Sequence, residues 1–200
     1  MPSLHYLLAF ALLLTYFALH SILAADQIKA WCSVRLGGYY PYYRLIYNLL
    51  ATVLLLVLLH WMAGWPGALL FETNIWTKFA AYFLQAVGVG ISIGALLQYN
   101  LRAFAGIEQL NQKNVTPEHN SLNTKGFNAF VRHPLYLGTI LLLLGVLLLC
   151  PKMWALLFLL SVLVYLPFGI YWEEKKLRQQ FGQAYLEYEK RVRCLIPGIW

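Results

Sequence analysis

The stretch RHPLYLGTILLLLGVLLLCPKMWALLFLLSVLVYLPFGIYWEE, Arg132 to Glu174, decides the fold. It opens on Arg-His-Pro and closes on Glu-Glu, and between them the only charged residue is Lys152. A bilayer core needs roughly 20 helical residues to cross. The run from Leu135 to Cys150 is short of that length, and the run from Met153 to Tyr171 reaches it. Pro151 and Lys152 leave room only for a tight turn. The two runs are therefore read as a helical hairpin, which returns Glu173 and Glu174 to the level of Arg132 and His133.

Outward from this hairpin, the chain reads in the same way. Of its 200 residues, 60% are hydrophobic and 12% charged, too few charges for an ordinary soluble domain. Three further apolar runs cover residues 4–24, 43–62 and 76–101. The expected fold is all-α: one domain over residues 1–200, an integral membrane bundle of about five transmembrane helices with a C-terminal amphipathic cytoplasmic helix. No Lys or Arg precedes Lys29, and the first apolar run exceeds the usual signal-peptide core, so it is read as a retained helix. Cys32, Cys150 and Cys194 are scattered without paired spacing, which implies neither a disulfide framework nor a metal site.

Charge placement sets the expected orientation. Thirteen of the fifteen Lys and Arg flank the first and third connections or lie in the tail; Lys78 and Lys152 fall on the other side. The positive-inside rule then puts the tail in the cytoplasm and the N-terminus outside. The net charge of +7 is mostly topology, with some attraction to anionic membrane lipid, and nothing argues for nucleic acid.

The tail, residues 172–200, carries Leu177, Phe181, Tyr185, Tyr188 and Val192 at intervals of three or four, one face of a helix lying at the membrane surface or folded over the bundle. Gly182 interrupts that helix, marking close packing or a bend, and Pro197 ends it. Sorting the polar residues by depth brings five segments to the inner level. His20 and Ser21 close the first run, and Arg44, Tyr47 and Asn48 open the second. Gln98, Tyr99, Asn100 and Arg102 close the third; Arg132, His133 and Tyr136 open the fourth; Glu173 and Glu174 follow the fifth. Ionisable groups at that boundary are costly unless they pair or line a wet cavity, and a convergent polar set beneath an apolar wall has the form of a small-molecule site. The plainer reading is a set of interfacial anchors. Asn, Gln, His and Glu are not the usual belt residues, which favours a site.

TKGFNAFVRHPLYLG, Thr124 to Gly138, followed by E-E-x-x-L-x-x-x-F-G-x-x-Y-x-x-Y and a closing L-I-P, Glu173 to Pro197, resembles the isoprenylcysteine carboxyl methyltransferase and phospholipid methyltransferase superfamily of membrane enzymes. The resemblance covers roughly the C-terminal 80 residues of the chain. It implies S-adenosylmethionine as cofactor, held at the cytoplasmic end under the C-terminal segment, with a lipophilic or lipidated substrate entering from the membrane. Arg132, His133, Pro134 and Tyr136 match the R-H-P-x-Y motif, and Glu173 and Glu174 the double-glutamate motif, both of which belong to the cofactor site in that superfamily. Gly88 and Gly90 match its third-helix G-x-G; Gly90 with Gly94 also forms a G-x-x-x-G, which in an apolar helix more often marks close packing, and packing is the favoured reading. Upstream, His20-Ser21, Tyr43 to Asn48 and Phe104 to Gln109 are more similar to the branch containing methanethiol S-methyltransferases and NnrU-like proteins.

The chemistry fits these residue types. Methyl transfer from a sulfonium needs donor and acceptor held at attack distance with water excluded, and no metal. Glu173 or Glu174 would meet the cofactor ammonium and Arg132 or His133 its carboxylate. Tyr136, Tyr185 and Tyr188 would wall the adenine or face the sulfonium. Arg44 would orient an acceptor carboxylate, whereas a thiol acceptor needs help to ionise. Arg132, His133, Glu174 and Arg44 are thus the expected catalytic set, and His133 and Glu174 are expected to be dispensable for folding. The alternatives are a methanethiol-type thiol S-methyltransferase and a non-methyltransferase, NnrU-like or reductase-like, membrane protein. A transporter would spread polar residues along a path at mid-membrane.

Overall fold

The computed structural model describes residues 2–65, 69–99, 101, 105–107, 110 and 122–196, the side chains of residues 2 and 3 excepted. Its helices are α1 (Pro2–Ala24), α2 (Asp26–Leu36), α3 (Tyr40–Ala63), α4 (Ile75–Leu96), α5 (Pro134–Leu149), α6 (Met153–Phe181) and α7 (Gln183–Arg191), with 3-10 turns at Gly37–Tyr39 and Gly126–Ala129. Four helical stretches, Leu4–Ala24, Asp26–Ala63, Ile75–Leu96 and Met153–Phe181, are long and apolar enough to cross a membrane, and Pro134–Leu149 is a shorter apolar helix. Phe79 and Phe168 are more than half exposed, as are many leucines. Such surfaces are stable against lipid and not against water. The chain is a multi-pass membrane protein.

Three differences from the sequence reading have local causes. The first connection folds as α2, with Asp26 in its first turn and Arg35 in its last, where each complements the helix dipole. The third apolar helix stops at Leu96, short of the expected Leu101. The fifth helix, by contrast, does not stop at Tyr171. The residues EEKKLRQQ are good helix formers, so α6 continues to Phe181, 29 residues in all, or roughly 44 Å at 1.5 Å per residue. That exceeds a hydrocarbon core of about 30 Å, so its last turns, bearing Glu173, Glu174 and Arg178, stand clear of the apolar part. Gly182, at φ +53°, then breaks the helix in a conformation that suits glycine, and its N–H caps Arg178 O at 3.0 Å. Asn100, Arg102, Phe104, Glu108, Gln109 and Pro197 lie outside the described residues.

Residue packing divides the chain into two units, Met1–Pro66 with Asn100–Glu118, and Gly67–Tyr99 with His119–Trp200. In the first, α1 and α3 pack together, and Ala9, Leu13 and Met62 are fully buried. Tyr43 donates its hydroxyl to Leu23 O at 2.9 Å, and His20 and Tyr47 bring their rings within 6.0 Å.

In the second unit, α4 opens on a capping box in which Asn74 and Thr77 exchange hydrogen bonds at 2.8 and 2.9 Å. Its tight partner is α5. A Cβ on Gly88 would sit 2.7 Å from Gly138 O, and one on Gly145 2.8 Å from Ala81 O. Small residues thus let the two backbones touch. Gly90 meets nothing within 4 Å and Gly94 receives the Phe127 ring, so the packing pair is Gly88 with Gly138.

Candidate active site

Proline explains how the site begins. Pro134 occupies the first turn of α5, where a missing N–H costs nothing, and the residues before it leave the helix to meet the tail. There Val131 pairs in parallel with Arg193. Arg132 N–H donates to Arg193 O at 2.8 Å, and His133 N–H to Cys194 O at 3.1 Å. The tail is therefore stitched onto the R-H-P segment by backbone bonds, and the side chains of Arg132, His133 and Cys194 meet the end of α6.

Their meeting point is Glu174. Its side chain is 8% exposed, and its Oε1 lies 2.6 Å from Arg132 Nη2 and 3.1 Å from His133 Nε2. Arg132 Nε donates to the same oxygen at 2.8 Å, and Arg178 Nη2 to Oε2 at 3.2 Å. A carboxylate with three cationic neighbours is held ionised. Arg132 also spends Nη1 on the carbonyls of Glu189 and Val192, at 3.2 and 2.8 Å. Arg178 reaches Glu189 with Nη2 at 2.5 Å and Nε at 3.1 Å, joining α6 to α7. Both guanidinium groups are thus committed within the protein.

Glu173, one residue earlier on the helix, differs. Its side chain is 45% exposed; Oε2 accepts from Tyr136 Oη at 2.7 Å and lies 3.5 Å from His133 Nδ1. His133 thus stands between the two carboxylates, with its side chain 2% exposed and its ring stacked 5.3 Å from that of Tyr136. Burial alone would lower the His133 pKa, but the bonds to Cys194, Glu173 and Glu174 outweigh it and push it up to about 11. The two carboxylates thus favour the imidazolium form, with Nε2 3.1 Å from Glu174 and Nδ1 3.5 Å from Glu173.

Tyr185 and Tyr188 of α7 are both buried, with ring centroids 5.8 Å apart. Tyr188 Oη donates to Asn128 O at 2.6 Å, while the buried Tyr185 Oη and Asn128 Oδ1 have no hydrogen-bond partner. Buried polar atoms are nearly always satisfied, so these two are suited to a polar ligand. By their chemistry these atoms suit a hydrogen-bonding heterocycle, and the half-exposed Glu173 carboxylate suits an ammonium group.

A family profile described as NnrU protein matches residues 7–199. The chain belongs to the NnrU family. Methanethiol S-methyltransferase of Crocosphaera subtropica is 32% identical over 195 residues, covering 94% of this chain and 73% of that protein. Methanethiol S-methyltransferase of Pseudomonas deceptionensis is 28% identical over 201 residues, covering 96% and 73%. Protein-S-isoprenylcysteine O-methyltransferase B of Arabidopsis thaliana is 36% identical over 83 residues, covering 41% and 42%. No solved structure matches. With its apolar helices, this NnrU-family chain is an integral membrane methyltransferase.

The remaining expected site residues of this NnrU-family protein fall elsewhere. Gly88 is buried in the α4–α5 contact and Gly90 faces open space. Arg44 lies in the first unit, whereas the Glu174 cluster is built wholly within the second. Sequence reasoning missed Arg178, Glu189, Asn128 and Cys194. Arg178 lies four residues after Glu174, an i,i+4 spacing that could have shown it; the others come together only through the fold. His133, Glu174 and Cys194 offer donor atoms within 4.8 Å of one another, a spacing open to a metal ion. The shared Glu174 oxygen already receives two guanidinium nitrogens and an imidazole, so its charge is balanced by the chain's own cations.

Proposed function

We propose that this membrane methyltransferase binds S-adenosylmethionine beside Glu173 and methylates a small thiol. The observation that carries the reading is the division of labour between the two glutamates. Glu174 is buried and consumed by Arg132, His133 and Arg178, while Glu173 keeps an exposed carboxylate oriented by the Tyr136 hydroxyl. Bound S-adenosylmethionine would supply a methyl group on a cationic sulfur, open to in-line displacement. Glu173 receives its ammonium end. His133, buried between the two glutamates, holds Glu173 in place for that contact. Asn128 Oδ1 accepts from an exocyclic amine, and the buried Tyr185 and Tyr188 rings exclude water and lie against a flat base. Arg132 and Arg178 act at one remove, holding Glu174 and the tail so that Glu173 and His133 stay placed.

A thiol acceptor is favoured because the relatives named for methanethiol align along nearly the whole chain, whereas isoprenylcysteine methyltransferase B aligns over 41% of it. In the expected orientation the cluster and tail face the cytoplasm. Calorimetric titration of the detergent-purified protein with S-adenosylmethionine and its demethylated product tests the reading. Micromolar binding that Glu173→Gln weakens about tenfold, by loss of a charged hydrogen bond, supports it. Absence of binding to folded protein, or binding equal in the variant, rejects it.

A further inference from the structure

Two buried nitrogens of the first unit, His20 Nδ1 and Arg44 Nε, have no hydrogen-bond partner. They come from different helices, α1 and α3, and Tyr47 links them. Its ring lies 6.0 Å from that of His20, and its place three residues after Arg44 puts both on one face of α3. Arg44 makes no ion pair among the described residues. Asp26, the one acid described in this unit, lies 3.4 Å from Lys29. Backbone packs directly against Arg44. Gly106, at φ +90°, lies so close that a Cβ there would be 2.7 Å from Leu45 N and 3.1 Å from Arg44 Cβ. Asn48 Nδ2 is spent on Ala105 O at 3.4 Å.

A guanidinium N–H is an obligatory donor that cannot be neutralised, and the imidazole nitrogen can donate as well. An unsatisfied guanidinium donor and an unpartnered imidazole nitrogen on neighbouring helices, with no described carboxylate to balance the charge, suit an acceptor that is anionic and compact. Guanidinium geometry favours an oxyanion over a halide, because parallel oxygens can each take an N–H. We propose that His20 and Arg44 form a binding site for an oxyanion, a carboxylate or phosphodiester group, within the first unit. The site stands whether or not a methyl donor binds in the second. A small carboxylate solute and a phospholipid headgroup are the two sources of such a group.

The test uses full-length protein purified in neutral detergent, with two probes. Acetate is titrated by calorimetry at constant ionic strength, and phosphatidylglycerol retention is measured against phosphatidylcholine by native mass spectrometry. Arg44→Gln removes the charge, Arg44→Lys keeps it without the fork, and His20→Phe keeps the ring while removing both nitrogens. Saturable acetate binding, weakened about tenfold or more in Arg44→Gln and His20→Phe and less in Arg44→Lys, supports a site for a small carboxylate. Retention of phosphatidylglycerol by wild type and its loss in the same two variants supports a headgroup site. Should Arg44→Gln fail to fold, His20→Phe decides alone. If neither probe separates wild type from the folded variants, the proposal is overturned.

Discussion

Glu173 and Glu174 are chemically identical and adjacent, yet packing gives them opposite tasks. Removing the charge at Glu174 takes from buried Arg132 and His133 the carboxylate they share, and breaking such a buried pair costs about 3–5 kcal/mol. Glu174→Gln is therefore expected to lower the thermal unfolding midpoint sharply in detergent, whereas Glu173→Gln, at the more exposed carboxylate, lowers it less. The expectation that Glu174 and His133 can be replaced without harm to folding does not fit this geometry, because both are buried in one ion-pair network. His133 also gives a signed pH dependence. Its folded pKa, about 11, lies above the unfolded value, which is about 6.5. The folded state therefore holds the proton longer, and the stabilisation is complete below the unfolded value and lost as pH rises through the folded one. Unfolding midpoints of wild type should fall between pH 7 and 11, and His133→Gln should flatten that decline.

At the scale of elements, two glycines only two residues apart in sequence test the α4–α5 contact. A methyl group at Gly88 meets the Gly138 carbonyl, while one at Gly90 meets nothing. Gly88→Ala should destabilise by about 1–3 kcal/mol through overpacking. Gly90→Ala should be neutral or stabilise by up to about 1 kcal/mol through helix propensity. Parallel unfolding curves would show it. The tail obeys a different logic. Its helical period was legible in Leu177, Phe181, Tyr185 and Tyr188, but the break at Gly182 and the pairing of Val131 with Arg193 turn that face inward over the R-H-P segment. Periodicity reports which residues share a face, and only the chain reversal at Gly182 selects what the face covers.

For the whole molecule, orientation is the open geometric prediction. Cys150 is exposed at the end of α5, on the turn before Lys152, while Cys32 and Cys194 are buried. In the orientation with the N-terminus outside, a membrane-impermeant maleimide should label Cys150 on intact cells and leave Cys150→Ser protein unlabelled. Labelling only after the cells are opened would invert the topology. The inner-level polar residues legible in the sequence fall into two sets, His20 with Arg44, Tyr47 and Asn48 in the first unit, and the Glu174 cluster in the second.

What the sequence determined by itself was the membrane hairpin, the helical class and the residues that bracket it, because apolar run length and charge placement act locally and need no partner. Arg132, His133, Tyr136 and both glutamates could be named from their places on either side of the hairpin. Only the tertiary structure decided which glutamate is spent on structure, and only it brought Arg178, Glu189, Asn128 and Cys194 to the site. The reason is that a charged group's role depends on what neutralises it. Arg132 lies 42 residues from Glu174 and 57 from Glu189 in the chain, and the fold alone brings them together.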